Sequence, residues 1–266
     1  MNLNCLASSF LLPTQNSSTN HIFKSRLPLK PATTWSSDMD FITDGFVKAI
    51  LLLLSGNAET YSAIIATLKV SSGSMVASIL VGIPSGFFLG YYQFRGKKAL
   101  RIIVDTLLSL PTVFIGLLVY AFISSRGPFG DAGLLFTLPG IAIGQTILAL
   151  PIVIALSATA VESMDNRLSP TLISLGAGRR QLLLSCIYEL RYSLIAASVT
   201  AYGRVMTEVG ISMMVGGNVK WHTRTITTAI ALETGKGMFA TGIALGLVLL
   251  TIAFTVNLSL SFLKNK

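Results

Sequence analysis

The chain has 266 residues, 20 of them Lys or Arg against 11 Asp or Glu, for a formal net charge of +9 and a pI near 9.8. Only 12% of the side chains are charged, about half the usual share of a soluble domain, while 52% are apolar and the mean hydropathy is +0.70. These figures exclude a disordered chain, a disulfide scaffold and a soluble enzyme; and because the basic residues fall in short clusters between apolar runs, they exclude a nucleic-acid binder as well.

Residues 1–38 are rich in Ser, Thr and Asn, carry Lys24, Arg26 and Lys30, and have no acid before Asp38. Such a leader resembles an organelle transit peptide; the alternatives are a polar disordered tail, or a start upstream of a natural one at Met39. From 39 to 266 the composition is that of a membrane domain. Residues 41–55 hold AILLLL together with Asp44 and Lys48. As a helix they reach about 22 Å, short of a ~30 Å hydrocarbon core, so they form a short span or lie in the interface.

Five longer runs follow, over 70–92, 102–123, 134–160, 194–215 and 238–262. Each is long enough to cross a bilayer, and as a helix each satisfies its own backbone polar groups. The first is expected to begin nearer Tyr61. Gly82, Gly86 and Gly90, Gly140 and Gly144, and Gly242 and Gly246 stand four apart, a spacing that lets membrane helices approach closely. The expected fold is therefore all-α: a polytopic bundle of about five long transmembrane helices plus one short N-terminal hydrophobic helix. With the 162–193 loop in the cytoplasm and the short stretch crossing, 13 Lys and Arg lie inside against 4 outside, which the positive-inside rule favours. The expected location is a multi-pass bacterial inner (plasma) membrane, or an organelle membrane if the leader is a transit peptide.

Catalytic and metal sites are not expected. His21 and His222 are isolated, Cys5 and Cys186 have no ligand spacing, and no HExxH, CxxC or GxxxxGK[ST] string occurs. The GPFGDAG string at 127–133 links two spans and reads as a tight outer turn. Inside the fourth long run, Arg204 and Glu208 stand four apart, where a helix would let them pair, with Thr207 and Ser212 near the same surface. They are candidates for an anion pathway or a structural intramembrane ion pair. Asp105 and Lys69 lie near predicted span ends, where snorkelling suffices.

The 162–193 loop, with LISLGAGRRQLLLSCIYELRYSLIAA at its centre, is too long for a hairpin. Apolar residues at helical spacing on either side of Gly176-Ala177-Gly178 predict two short helices meeting at a small-residue turn, a knob suited to a partner's groove. This loop resembles the EAA loop of ABC importer permeases: Gly176 matches the family's glycine, while Pro170, Thr171 and Leu172 replace EAA, and Cys186 to Glu189 replace I-x-LP. The strings GIPSGFFLGYYQFRGKKALRIIVDTLLSLPTVFIGLLVY, RGPFGDAGLLFTLPGIAIGQTILALPIVI and RVMTEVGISMMVGGN are similar to oxyanion permeases, and YELRYS with RTITTAIALETGKG to the tungstate branch.

The resemblance implies a MetI-like ABC importer permease fold and passage of an oxyanion, tungstate before molybdate or sulfate, without enzymatic activity of the chain itself. It implies a homodimer, a cytoplasmic ABC ATPase dimer that holds the ATP and Mg, an extracytoplasmic anion-binding protein, and no cofactor in this chain. It assigns ATPase coupling to Leu175, Gly176, Ala177, Arg179 and Arg180. A membrane receptor or scaffold without transport activity is the reading from a different class.

Overall fold

The computed structural model describes residues 36–264 except 56 and 166, and every regular element among them is helical. The leader expected over 1–38 falls mostly outside these residues. Helix α1 (Ser36–Leu54) is followed by α2 (Ala58–Tyr91), α3 (Lys97–Leu107), α4 (Thr112–Ile123) and α5 (Leu138–Glu162). Then come α6 (Leu168–Ser174), α7 (Arg179–Glu189), α8 (Arg191–Met206), α9 (Gly210–Gly216), α10 (Ile226–Gly235) and α11 (Phe239–Lys264).

Among the described residues, α2, α5 and α11 are long and apolar enough to cross a membrane, and two bent helix pairs raise the number to five if each pair is one span. Two of the five expected runs are not continuous helices. The 102–123 run breaks between α3 and α4, which meet at 96°. Pro111 explains it: the ring removes a backbone donor and forces the preceding residue out of the helical region, and Pro111 itself is extended at φ −61°, ψ 128°. The 194–215 run breaks at 207–209, between α8 and α9, without a proline. Helix α1 is not among the helices that qualify by length and composition; its 19 residues include Asp38, Asp40, Asp44 and Lys48.

The core is a parallel pair, α2 and α5. A Cβ at Gly82 would stand 2.8 Å from Val153 Cγ1, one at Gly86 would stand 2.6 Å from Ser157 Cβ, and one at Gly90 would stand 2.7 Å from Val161 Cβ. The register advances four residues on both helices, so one stripe of missing side chains brings the two backbones together, as small residues do in membranes. At Gly246 a Cβ would meet nothing within 4 Å; that glycine serves no such approach. Val70 on α2 and Leu148 on α5 join Ile115 and Val119 of α4 and Ile211 and Val215 of α9 in one apolar cluster.

Several buried polar groups along this pair find partners, as a low-dielectric interior favours, while Ser71 Oγ and Ser157 Oγ have none among the described residues. Ser74 Oγ donates to Gln145 Oε1 at 3.3 Å, and the Ile226 N–H donates to Thr67 Oγ1 at 3.0 Å. The Gly-rich 127–133 string folds as expected into a turn, with one 3₁₀ turn at Gly130–Ala132.

Candidate functional site

The expected knob is present. At the end of α6 the Gly176 N–H donates to the Ile173 carbonyl at 3.0 Å and the Ala177 N–H to the Leu172 carbonyl at 3.0 Å, the hydrogen-bond pair of a Schellman cap. That cap needs a left-handed residue, and Gly176 supplies it at φ +81°. The Gly178 N–H then donates to Gln181 Oε1 at 3.0 Å and opens α7. Pro170 lies in the first turn of α6, where its missing N–H costs no helical hydrogen bond; the position of the family's acid is thus compatible with the helix.

The knob is held from beneath. Leu182, Cys186, Leu190 and Leu194 are buried against Phe87 of α2 and Val161 of α5, with Leu172 and Leu183 packed on them. On the opposite side Ile173, Ile187 and Leu175 are exposed, Leu175 by 78%. A Cβ added at Gly176 meets nothing within 4 Å, and Arg180 is exposed beside it. The Arg179 side chain is outside the described set. An apolar tip on a braced turn, with no cover from its own chain, is a surface made for contact.

Sequence reasoning missed the residue that joins this knob to the membrane. The Arg191 guanidinium lies 3.9 Å from the Tyr188 ring centroid and 4.4 Å from that of Tyr192, and Nη1 donates to the Tyr188 carbonyl at 2.8 Å. This sandwich sits where α7 and α8 bend by 61°. The string YELRYS therefore makes a corner without proline.

The proposed pairing of Arg204 with Glu208 does not form. Helix α8 ends at Met206, so the two no longer share a helix face, and among the described residues no ion pair joins them. Glu208 is 3% exposed. Its Oε1 accepts the Ile211 N–H at 3.2 Å, and its carbonyl accepts the hydroxyls of Thr227 at 3.0 Å and Ser212 at 3.3 Å. From the residue before the N-cap Val209 it thus satisfies a first-turn N–H of α9, and Ser212 is buried.

Helix α4 begins at the same place. A Cβ on Gly210 would be 3.2 Å from Glu208 Oε1 and 3.2 Å from Thr112 Oγ1, so the starts of both short helices meet around one carboxylate. Arg204 and Thr207, in contrast, are exposed, and so is Thr200. Thr200 and Arg204 stand four apart on one face of α8, and Thr207 is the C-cap that follows its last residue.

Two ion-pair clusters were also not foreseen. Glu59, in the first turn of α2, holds Lys220 at 2.7 Å and Arg224, tying that helix to the loop before α10. Glu162, the last residue of α5, holds Lys97 at 3.3 Å and Arg101 at 3.6 Å. Arg101 also reaches Asp105 at 3.4 Å and the Thr159 hydroxyl at 2.7 Å. Asp105 thus faces a partner on its own helix. Among the described residues, no cluster of His, Cys, Asp and Glu could hold a metal ion.

Comparison with known proteins gives the same direction throughout. Residues 82–266 match the family model described as the binding-protein-dependent transport system inner membrane component. The chain is 51% identical to the tungstate uptake system permease protein TupB of Campylobacter jejuni subsp. jejuni serotype O:2, over 82% of this chain and 92% of that protein. It is 38% identical to TupB of Peptoclostridium acidaminophilum, over 82% and 96%. Its fold is similar to a chain of a bacterial ABC transporter involved in import of the acidic polysaccharide alginate, with a TM-score of 0.67 and 19% identity over 86% of this chain and 88% of that one.

Proposed function

Because the chain belongs to the binding-protein-dependent transport system inner membrane component family, we propose that it is the permease subunit of an ATP-driven ABC importer carrying an oxyanion, tungstate. The observation that carries the reading is the 51% identity to a tungstate uptake permease over 82% of the chain. Molybdate and sulfate are the competing cargoes, and similarity to permeases for them is lower, at 27% and 25%.

In this reading two copies of the chain flank the passage and an extracytoplasmic anion-binding protein delivers the cargo. A cytoplasmic ATPase dimer binds ATP and Mg and hydrolyses the ATP, while this chain contributes no catalytic group. The membrane is the bacterial inner membrane. Closing of the ATPases moves the knob through Leu175, Gly176, Ala177, Arg179 and Arg180; the packing of Leu182 and Cys186 on α2 and α5 carries that motion to the spans. Two rigid arrangements of packed helices are what such a switch requires.

Thr200, Arg204 and Thr207 line the passage. A charged stripe facing lipid is costly, so the exposed Arg204 of a single protomer is best satisfied in a water-filled space between copies, where it attracts a divalent oxyanion. Glu208 is withdrawn from the anion's route by holding a first-turn N–H of α9. Uptake of labelled tungstate and molybdate is to be compared in cells with and without this chain, alongside its ATPase and binding protein. Tungstate uptake that depends on the chain and exceeds molybdate uptake is expected; uptake unaffected by the chain contradicts the reading.

A further inference from the structure

We propose that Arg191 is a positioning residue for transport: it locks the elbow between α7 and α8, so that a tilt of the knob becomes a tilt of the helix that carries Thr200 and Arg204. The two helices bend by 61° at Leu190, which ends α7 and begins α8 at φ −82°, ψ −1°. The surrounding string CIYELRYS, residues 186–193, has neither proline nor glycine. Sharp bends without them mark a group set into the helical hydrogen-bond ladder. Arg191 supplies that group. Its Nη1 donates to the Tyr188 carbonyl at 2.8 Å, the carbonyl that an unbroken helix would offer to the N–H of Tyr192.

The backbone alone leaves this bend soft. At Pro111 the ring clashes with a straight helix, whereas Leu190 lies in the right-handed helical region and meets no such barrier. Side chains must therefore hold the angle. The guanidinium lies 3.9 Å from the Tyr188 ring centroid and 4.4 Å from that of Tyr192, and Nη2 donates to Tyr192 Oη at 3.1 Å. One ring belongs to α7 and the other to α8, so a planar, always-charged group stacked on both fastens the two helices together. Both Nη atoms are engaged within the chain, and no carboxylate pairs with Arg191 among the described residues. These are the contacts of a holding group.

Each arm of the elbow has its own footing. Leu182 and Cys186 of α7, with Leu190 at the bend, are buried in one cluster with Phe87 and Val161, and Ala197, Ala201 and Val205 are buried along α8. A fixed angle makes one lever of the two helices, with the knob at one end and the exposed Thr200 and Arg204 at the other. A loose angle lets α7 follow the ATPase while α8 stays in place. Switching between two packed arrangements needs the fixed form, because motion absorbed at a hinge never reaches the next element. This role rests on the importer reading above, through the ATPase, and is indifferent to which anion is carried.

The full chain, in vesicles with its ATPase and binding protein, is to be assayed for ATP hydrolysed per labelled tungstate taken up, and for hydrogen exchange of amides 190–194. Arg191→Ala is expected to hydrolyse several-fold more ATP per anion and to exchange these amides several-fold faster. Tyr188→Ala is expected to do the same, at a side chain 66% exposed and so little needed for packing, while Tyr188→Phe keeps the ring and should match the wild type. An unchanged ratio in either alanine variant, or a Tyr188→Phe variant as uncoupled as Tyr188→Ala, would overturn the elbow. Uncoupling without faster exchange would overturn it as well, since a lost contact with the ATPase would then suffice, and so would uptake and hydrolysis that fall in proportion. A wild type that takes up no tungstate would contradict the cargo reading instead, and the exchange of Arg191→Ala would still decide the elbow, an unchanged rate overturning it.

Discussion

Glu208 Oε1 accepts the backbone N–H of Ile211 at 3.2 Å. A carboxylate whose spacing from Arg204 invites an ion pair instead holds the first turn of a short helix, and the arginine is left facing outward. The two residues then answer to different tests. Glu208→Ala should leave the buried Ile211 N–H without its partner, at a cost of about 1–3 kcal/mol. Glu208→Gln keeps an acceptor oxygen and should stay near wild-type stability. Arg204→Gln should leave the melting temperature in detergent unchanged yet slow uptake. A melting temperature lowered equally by Arg204→Gln and Glu208→Ala would restore the ion pair.

Close approach of α2 and α5 makes a second forecast. A Cβ at Gly86 would stand 2.6 Å from Ser157 Cβ and 2.7 Å from the Ile154 carbonyl, and backbone cannot yield as a side chain can. Gly86→Val should therefore cost about 1–3 kcal/mol through overpacking. Gly246→Ala, with nothing within 4 Å, should be neutral or gain up to about 1 kcal/mol from helix propensity. Thermal melts of the two variants compare the sites directly. Equal melting temperatures would mean that the glycine stripe does not set the helix distance.

At the other end of α2, Glu59 clamps the loop before α10 through Lys220 and Arg224. Lys220 is half exposed, and such pairs are worth about 1 kcal/mol or less. Arg224 is largely covered and also reaches Asn218 Oδ1 at 3.2 Å. Lys220→Ala should consequently change little, whereas Glu59→Ala and Arg224→Ala should each speed limited proteolysis of the 218–225 segment. Proteolysis of all three variants at the wild-type rate would remove the clamp from the account.

Orientation is open to labelling. Cysteines introduced at Gly130 and Asn218 should react with an impermeant thiol reagent in intact cells, and one at Ser174 should not, because the Lys and Arg excess lies on the knob side. Cys186, at 0% exposure, gives no background. Labelling of the Ser174 cysteine with protection at Gly130 would invert the topology.

The sequence was most legible where a physical signal is local. Apolar runs located α2, α5 and α11, and Gly176 between two amphipathic stretches located the knob, since a left-handed cap depends on the few residues around it. The 127–133 turn was legible for the same reason. The breaks were harder. Pro111 marks one, but hydropathy runs straight through it, and the break at 207–209 has no punctuating residue at all. It arises from Glu208 holding the first turn of α9 and from Thr227, 19 residues away, bonding to the Glu208 carbonyl. The Glu59 clamp, with partners more than 160 residues apart, and the Arg191 corner depend on tertiary placement, which no periodicity reports. Four-residue spacing implied a shared face for Arg204 and Glu208 only as long as the helix continued.

Coupling through the knob is tested most directly at Gly176. Its φ of +81° makes Gly176→Ala a strain test alone, worth about 1–2 kcal/mol. Gly176→Trp carries the same backbone strain, and because a Cβ there meets nothing within 4 Å, its further loss relative to Gly176→Ala tests bulk at the exposed tip of the knob. Uptake of labelled tungstate is to be measured for both variants with the ATPase and binding protein present, at matched abundance in the membrane. The account predicts that Gly176→Ala retains much of the uptake, and that Gly176→Trp loses it and frees ATP hydrolysis from transport. Normal uptake by Gly176→Trp at wild-type abundance would contradict the account, leaving the loop a connector between spans.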